Sequence, residues 1–498
     1  MFSILSVLLI GAFMGQVDGC IMMATYGLIS SEFNQLENAT WLLSSYMLAA
    51  CVSQPLYGKL SDIFGRKPLL QISYLLFTLG CLLCGLSQSM AQMIAARAIQ
   101  GIGGAGMGGL VAILISDLVP LRDVAVYRSY VNVVQTVGRS CGGPIGGALM
   151  QTIGWRWAFL GQVPIILIAM CLIEWKLESP ERIDDSSKES LWEKFRSIDF
   201  LGVATLSLTI LSSLLILDLG GTMIPWNSPL IPVLVTGMLL CGGLFIVTEK
   251  YWAKQPIFPL SLLTHYDVFT SYLILMFQSC SQIALMSIVP LYFTVTQNAS
   301  PAAAGSYMTP SIIGNTIGGL GTGAYIKRSG RYKLPIIISG ISACSCFTIL
   351  ATTWRGNTSL WEALLIFPAG FSSGIGYSAT FIAMGAGIDE KDMAIATSGL
   401  YLSSNVGAVA GVSLSSALFH NTLRTDLNKV LKGVEGGKEI ARKALSDIDF
   451  VQKLKGRLHA LVIEAYVYSF SRTFTLSLAF SACALLVGWM IREKRIKG

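Results

Sequence analysis

The chain has 498 residues, of which 53% are hydrophobic and 13% charged, with a formal net charge of +7 at pH 7. Soluble domains carry about a quarter charged residues, so this composition excludes an ordinary soluble protein and predicts an integral membrane protein. The basic excess does not indicate a nucleic-acid partner, because Lys and Arg beside membrane spans set their orientation. The eleven cysteines fall mostly in apolar runs, and we expect neither a disulfide framework nor a metal site.

Apolar windows long enough to cross a bilayer recur almost from end to end of the chain. They must be helices, because lipid offers no water to the backbone N–H and C=O groups. We place them near 3–29, 41–57, 68–86, 92–115, 127–152, 157–175, 200–219, 229–248, 268–295, 302–326, 334–352, 361–387, 394–419 and 473–491. The sequence therefore predicts an all-α polytopic membrane protein with about fourteen spans.

The first apolar run begins at Phe2 without a basic leader or a cleavage site of small residues. We therefore expect a retained span and not a signal peptide. Since the run starts almost inside the membrane, we also expect a polar N-terminal tail to precede it.

The orientation of the spans follows from the basic residues of their connections, which are concentrated in alternate loops. These residues are Lys59, Arg66, Lys67, Arg122, Arg128, Lys176, Arg182, Lys188, Lys194, Arg196, Lys327, Arg328, Arg331 and Lys333, with Arg492, Lys494, Arg495 and Lys497 in the tail. We expect them and both termini to face the cytosol. The glycosylation sequons at Asn38, Asn298 and Asn357 all fall on the opposite side, as that chemistry requires.

A long polar and basic loop, 420–472, lies on the non-cytosolic side in this topology. Long loops cross membranes largely regardless of their charge, so the orientation stands. The apolar spacing of its second half is that of an amphipathic helix on the membrane surface. A flexible loop is the alternative.

An internal repeat joins the two halves of the chain. "YGKLSDIFGRK", Tyr57 to Lys67, recurs as "GAYIKRSGRYK", Gly323 to Lys333, and each copy connects two apolar runs on the predicted cytosolic side. The repeated positions are Gly58, Gly65 and Arg66 in the first copy and Gly323, Gly330 and Arg331 in the second, with Asp62 and Lys67 completing the first. We expect duplicated halves, with these turns holding one bundle against the other as a cytosolic gate.

Several stretches resemble motifs of the major facilitator superfamily. "GKLSDIFGRK" resembles the signature between its second and third spans, and "RAIQGIGGAG" from Arg97 resembles its fourth-span motif. "GRSCGGPIGG", with Gly138, Gly142, Gly143, Pro144, Gly146 and Gly147, resembles the fifth-span motif of antiporters, which we expect to form a gasket between the halves. "GWRWAFLGQVP" is similar to the fungal 14-span drug:proton antiporter family. "SDLVPLRD", "GIGYSAT" and "GVSLSSALFHNTLR" are most similar to its vacuolar basic amino acid transporter branch.

Three charged residues inside predicted spans are candidates for binding protons or substrate. Asp18 lies in the middle of the first span, where a carboxylate usually faces a cavity, although a helix-packing hydrogen bond is the alternative. The family resemblance implies proton coupling for Arg97, whose alternative is a structural hub that ties the fourth span to loop carbonyls. Arg139 interrupts the fifth-span motif, where it would attract a carboxylate and repel a cationic side chain. We expect Asp18 and Arg97 to face a chamber shared by the two halves.

Other polar residues carry weaker signals. Asp117, Asp199, Asp218 and Asp267 lie near span ends, where carboxylates act as caps or interface groups. "GIGGAG" from Gly101 matches a dinucleotide fingerprint, but no strand precedes it, so we expect no cofactor. His265, His420 and His459 are scattered, and no nucleophilic triad is suggested, so we expect no metal and no enzyme.

These observations predict an N-terminal six-helix bundle over 1–176, a cytosolic linker with an extra helix pair over 177–266, and a C-terminal six-helix bundle over 267–498. The resemblance implies a monomeric, proton-coupled antiporter that moves basic amino acids across the vacuolar membrane by alternating access. A plasma-membrane efflux pump for drugs or secondary metabolites is the alternative. A non-transporting sensor on the same scaffold is a third class, against which the retained gate motifs argue.

Overall fold

The computed structural model describes residues 2–494 except 36–37, 40, 178–198, 220–227, 253–257, 300, 360, 433, 435 and 447. Within these ranges the chain forms helices and turns and contains no strand, as the sequence predicts. The basic residues predicted at Arg182, Lys188, Lys194, Arg196, Arg495 and Lys497 lie outside the described residues, as does the side chain of Asp218.

The long helices are numbered here in chain order. They are α1 (Phe2–Glu32), α2 (Trp41–Phe64), α3 (Arg66–Leu86), α4 (Met90–Leu118), α5 (Leu121–Thr152), α6 (Trp155–Lys176, interrupted at Gly161), α7 (Phe200–Leu219), α8 (Leu230–Val247), α9 (Tyr266–Gln297), α10 (Thr309–Ser329), α11 (Lys333–Thr353), α12 (Phe367–Gly385), α13 (Met393–Val430) and α14 (Gly456–Met490). Short helices occupy Thr248–Trp252, Leu260–Thr264, Pro301–Ser306, Glu362–Ile366, Glu390–Asp392, Gly437–Ser446 and Ile448–Lys453.

In the described part of the chain, 11 helices are long and apolar enough to cross a membrane. The long helices that fall short are α2, α5 and α10. All three contribute to the contact between the two halves of the molecule. A face that meets protein or a polar cavity needs fewer apolar residues than one that meets lipid, which explains their lower hydropathy.

The helices pack as two groups. Helices α1–α6 pack together as the N-terminal half, and α9–α14 as the C-terminal half. The halves meet chiefly where α2 contacts α13 and where α5 contacts α10. Helix α7 lies against both α2 and α13, and its Leu214 packs with Leu48 and Val409. Helix α7 of the extra pair therefore covers one edge of the contact between the halves.

The predicted loop 420–472 is largely helical. Helix α13 runs on to Val430 and α14 begins at Gly456, so the sequence windows that end at 419 and begin at 473 were too short. Leu427 and Val462 are buried in the apolar cluster of the C-terminal half, which explains the extension. The short helices between them bury Ala444 and Val451 in the same cluster. The alternative of a flexible loop is therefore wrong for the described residues.

The three sequons lie in turns at one end of the molecule. Asn38, Asn298 and Asn357 are exposed in the connections that follow α1, α9 and α11. The side-chain amide of Gln297 donates to the carbonyl of Thr358, which holds two of these turns together. The turns of the repeated gate motif lie at the opposite ends of α2, α10 and α11, whose other ends adjoin these connections.

This arrangement yields a test of membrane orientation. We expect the full chain, made in a eukaryotic host, to carry glycosidase-sensitive sugar that is reduced by Asn298→Gln and by Asn357→Gln, because both asparagines are exposed. A sequon introduced at the exposed turn Ser329–Arg331, next to the second gate motif, is the matched control and should stay unmodified. Gel mobility before and after glycosidase treatment measures both. Sugar on the introduced sequon alone would reverse the predicted orientation.

Candidate functional site

An ion pair lies inside the N-terminal half. Arg97 Nη1 on α4 is 2.7 Å from Asp18 Oδ2 on α1, and the two side chains are 1% and 0% exposed. A buried charge is costly unless it is paired and its remaining hydrogen-bonding atoms are satisfied. The surrounding side chains meet that requirement.

Two glutamines complete the coordination of the Asp18 carboxylate. Gln100 Nε2 donates to Asp18 Oδ1 over 2.9 Å, and Gln162 Nε2 donates to the same oxygen over 3.2 Å. Gln100 follows Arg97 by three residues on α4, so both side chains project from one face of that helix. Gln162 comes from α6, immediately after the interruption at Gly161. The carboxylate thus joins α1, α4 and α6.

The guanidinium of Arg97 has further partners on α2. Its Nε donates to the carbonyl of Leu42 over 3.1 Å, and its Cζ lies 4.6 Å from the centroid of the Tyr46 ring. The main-chain carbonyl that Arg97 contacts lies inside α2 and not in a loop, so the alternative of a tie to loop carbonyls is wrong at this position. An Arg held by a carboxylate, a carbonyl and an aromatic face has all sides of its charge compensated.

The expectation that Asp18 and Arg97 face a chamber shared by the two halves is wrong for this conformation. Both side chains are enclosed by helices of the N-terminal half. The physical reason is that Gln100 and Gln162 supply the partners that water or substrate would otherwise supply. Both residues stand in stretches that the sequence singled out, RAIQG and LGQVP, so the signal was present.

A separate cavity lies between the halves. Residues of α4 and α5 in the N-terminal half and of α12 and α13 in the C-terminal half line it: Ala112, Ile115, Arg128, Val131, Asn132, Gln135, Tyr377, Ser378 and Tyr401. Its volume of about 30 Å³ is enough for a water molecule but not for an amino acid. In this conformation side chains from both halves line this cavity.

Arg128 was placed in a cytosolic connection by sequence reasoning, and the structure corrects this. Helix α5 begins at Leu121, so Arg128 lies two turns inside it. The side chain is 8% exposed and its Cζ lies 3.9 Å from the centroid of the Phe381 ring in the C-terminal half. Arg128, Asn132, Gln135 and Arg139 have helical spacing, so they form one polar face of α5. That spacing could have been read from the sequence.

Arg139 lies on the same face as Arg128, three turns further along α5. It is half-buried and its Nη2 donates to Thr136 Oγ1 over 3.4 Å. Thr136 in turn donates to Asn315 Oδ1 on α10 over 2.8 Å, and Asn132 Nδ2 donates to the same oxygen over 2.7 Å. A chain of polar side chains thus crosses from the N-terminal to the C-terminal half.

The glycine-proline motif of α5 packs against α1. A Cβ at Gly138, Gly142 or Gly146 would come within 2.8 Å of the Phe13 carbonyl oxygen, 2.6 Å of the Val17 carbonyl oxygen and 3.2 Å of Ile21 Cα, respectively. Gly143 and Gly147 have open space, and Pro144 is exposed. The predicted gasket between the halves is therefore wrong, because the close contact lies within the N-terminal half.

The glycines of the repeated motif make equivalent contacts across the molecule. A Cβ at Gly58 on α2 would lie 2.6 Å from Ser398 Oγ of α13, and one at Gly323 on α10 would lie 2.6 Å from Ser129 Oγ of α5. Each repeat thus brings a helix of its own half against the early turns of a helix in the other half. Only glycine permits so close an approach.

The charged residues of the first motif act within the N-terminal half. Gly65 turns the chain with φ 92°. Arg66 then bridges Asp62 over 2.7 Å and Asp117, at the end of α4, over 2.8 Å. Lys67 bridges Glu174 of α6 over 2.9 Å. These pairs fix the ends of α2, α3, α4 and α6, and Asp117 is an ion-pair partner as well as a span-end residue.

The second motif reaches across to the N-terminal half. Lys327 Nζ lies 3.0 Å from Asp123 Oδ1 at the start of α5, and Arg122 Nε donates to the Lys327 carbonyl over 2.6 Å. Gly330 ends α10 with φ 67°, and the backbone N–H of Arg331 donates to Ser329 Oγ. The end of the molecule that carries both motifs is therefore closed.

Comparison with known proteins matches residues 7–412 to the Major Facilitator Superfamily. The chain is 32% identical over 495 residues to "Vacuolar membrane amino acid uptake transporter fnx2" of Schizosaccharomyces pombe, covering 99% of this chain and 84% of that protein. It is 32% identical to "Multidrug resistance protein fnx1" of the same organism, covering 95% and 89%. It is 28% identical to "Vacuolar basic amino acid transporter 2" of Saccharomyces cerevisiae, covering 90% and 96%.

Solved structures show the same fold. The proton:xylose symporter XylE superposes with a TM-score of 0.61 at 15% identity, covering 100% of this chain and 97% of that one. The human organic anion transporter MFSD10 superposes with a TM-score of 0.61 at 12% identity, covering 96% and 99%. The predicted fold class is confirmed by these likenesses.

The buried ion pair yields a prediction about stability. We expect Asp18→Asn to lower the free energy of unfolding by about 3–5 kcal/mol, because the guanidinium of Arg97 keeps its charge and loses its partner. We expect Arg97→Gln to cost less, since the remaining carboxylate can take up a proton. Denaturant unfolding of the purified protein measures both. Equal losses for the two single variants would contradict this account.

The contacts of the repeated glycines yield a second prediction. We expect Gly58→Val to separate α2 from α13, because the added side chain would collide with Ser398 Oγ and the Ala394 carbonyl oxygen. An Ala394→Cys reporter should then react faster with a membrane-impermeant maleimide, as measured by peptide-resolved mass spectrometry. Gly108→Val is the matched control, since a Cβ there meets open space. An unchanged labelling rate in the Gly58 variant would contradict a gate at this contact.

Proposed function

Since this chain belongs to the Major Facilitator Superfamily, we propose that it is a proton-coupled antiporter that moves basic amino acids across the vacuolar membrane. The coarser description, a multi-pass secondary transporter of that superfamily, rests on the family match and the fold. The finer one draws on relatives whose names specify amino acid uptake at the vacuolar membrane and basic amino acids. The observation that supports the coupling is the buried pair of Asp18 and Arg97.

The carboxylate of Asp18 is the proton-accepting group in this proposal. In its charged form it accepts hydrogen bonds from Arg97, Gln100 and Gln162. A proton on Asp18 would cancel the charge that holds Arg97 and turn one acceptor oxygen into a donor. The contacts among α1, α4 and α6 would then rearrange. Moving one charge through 100 mV is worth about 2.3 kcal/mol, enough to bias such a rearrangement.

The packing of α1 on α5 would transmit a movement of α1 near Asp18 to the contact between the halves. Val17 and Cys20, on either side of Asp18 in the chain, contact the face of α5 at Gly142. The polar face of α5 meets the C-terminal half through Asn132 and Asn315. A shift of α1 is therefore transmitted to the contact between α5 and α10. Alternating access requires that this contact open and close.

A second candidate is efflux of a drug or secondary metabolite across the plasma membrane. One observation favours it: the cavity between the halves is lined by Arg128 and two tyrosines, and none of its lining residues is acidic. A lysine side chain in that cavity would meet a like charge and no counter-charge. The relative fnx1 is named for multidrug resistance. In this alternative the solute would also bind in the cavity between the halves.

Transport assays separate the two candidates. We expect labelled lysine to enter energised vacuolar vesicles that carry the wild-type protein and to stop entering when an ionophore collapses the proton gradient. We expect Asp18→Asn to abolish the gradient-dependent part, because that side chain cannot exchange a proton. Asp199→Asn is the control, since Asp199 accepts a hydrogen bond from Gly202 N outside the ion-pair cluster.

Folding of each variant is checked by size-exclusion chromatography before vesicles are compared. Lysine uptake that survives the collapse of the gradient would reject proton coupling. Absence of lysine uptake by a folded wild-type protein, together with drug resistance on overexpression, would favour the efflux candidate.

A further inference from the structure

We propose that Arg128 binds a carboxylate group of the transported solute in the space between the two halves. The inference rests on the proposed function only in treating the chain as a transporter, and it specifies the chemistry of the solute. It predicts an amino acid recognised by its α-carboxylate, or an organic anion, rather than a simple amine.

Arg128 has few partners for its charge among the described residues. Within the described part of the chain, its Nε is buried without a hydrogen-bond partner, and its Nη1 donates to the Tyr401 hydroxyl over 3.5 Å. No carboxylate lies within ion-pair distance of it among the described residues. A buried guanidinium cannot give up its proton, so among the described residues this charge is compensated by two aromatic faces and one long hydrogen bond to a hydroxyl.

Arg128 differs from Arg97 in its counter-charge. Both arginines lie in the interior and both stack on aromatic rings. Arg97 also has a carboxylate at 2.7 Å. The fold therefore supplies a full counter-charge to the arginine that is enclosed within one half, and does not supply one to the arginine that lies between the halves.

The cavity that Arg128 lines is rich in hydrogen-bond donors. Ser378 Oγ, across the cavity from α5, is also buried without a partner among the described residues. The other polar groups that line the cavity belong to Asn132, Gln135, Tyr377 and Tyr401, all of which can donate hydrogen bonds. A cavity rich in donors, with a guanidinium fork and no acid, is complementary to a carboxylate.

The cavity is too small for a solute in this conformation. The cavity of about 30 Å³ does not admit an amino acid while Arg128 rests on Phe381 and Tyr401. Both rings belong to the C-terminal half, whereas Arg128 belongs to the N-terminal half. When α5 separates from α12 and α13, the guanidinium loses the aromatic faces and becomes free to bind an anion. Binding of the carboxylate thus competes with contact between the halves.

The test compares probes that differ only in their carboxylate. Purified full-length protein in nanodiscs is heated with lysine or lysinamide and with benzoate or benzamide, and the shift in melting temperature gives the apparent affinity. We expect the carboxylate member of at least one pair to stabilise the wild type at concentrations about 10- to 100-fold lower than its amide. We expect Arg128→Gln to remove that difference, and Arg128→Lys to retain part of it through its charge.

Arg472→Gln is the matched control. Arg472 also stacks on a tyrosine, Tyr468, but both belong to α14 and neither lines the cavity. This variant should keep the wild-type preference. The proposal is overturned if neither carboxylate is preferred by the wild type, or if the preference survives in Arg128→Gln. Failure of lysine transport with an intact preference for benzoate would reject the amino acid function and leave the carboxylate site standing.

Discussion

A charged carboxylate or guanidinium in a low-dielectric interior requires a partner of opposite charge. The N-terminal half is built around one such ion pair, formed by Asp18 and Arg97. The pair joins α1 to α4, Gln162 adds α6, and the Leu42 carbonyl adds the start of α2. Breaking it would leave a charge that cannot be solvated in place. The pair therefore fixes the relative positions of four helices as long as Asp18 is charged.

That constraint extends to the contact between the halves through α1 and α5. The glycines of α5 place its backbone directly on α1, next to Asp18 in the chain. The polar face of α5 then meets α10, α12 and α13. At the end of the molecule predicted to be cytosolic, Gly58 and Gly323 complete the closure by bringing α2 onto α13 and α10 onto α5. Packed backbone thus connects the ion pair in one half to the contact between the halves.

The sequence was informative where chemistry is local. Composition and apolar windows predict a helical membrane protein. The repeated motif aligns Gly58 with Gly323, and the structure places these two glycines in equivalent contacts between the halves. Asp18 and Arg97 were recognised because charge inside an apolar run is conspicuous. The direction in which these two side chains point was not predictable. It depends on Gln100 and Gln162, whose hydrogen bonds to Asp18 form only when α1, α4 and α6 pack together. Arg128 was missed because a basic residue near a span end is usually assigned to a loop. Its helical spacing with Asn132, Gln135 and Arg139 was the available signal, and the start of α5 at Leu121 places it inside the helix.

The central claim is that the proton held or released by Asp18 controls the contact between the halves. Spin labels at Lys176, where α6 ends, and at Lys391, just before α13, report the separation of the two halves at the gate end. Their distance distribution, measured by pulsed electron resonance in nanodiscs at neutral and acidic pH, tests the claim directly. The account predicts a pH-dependent shift in the wild type that disappears in Asp18→Asn. The same shift in both proteins would contradict it.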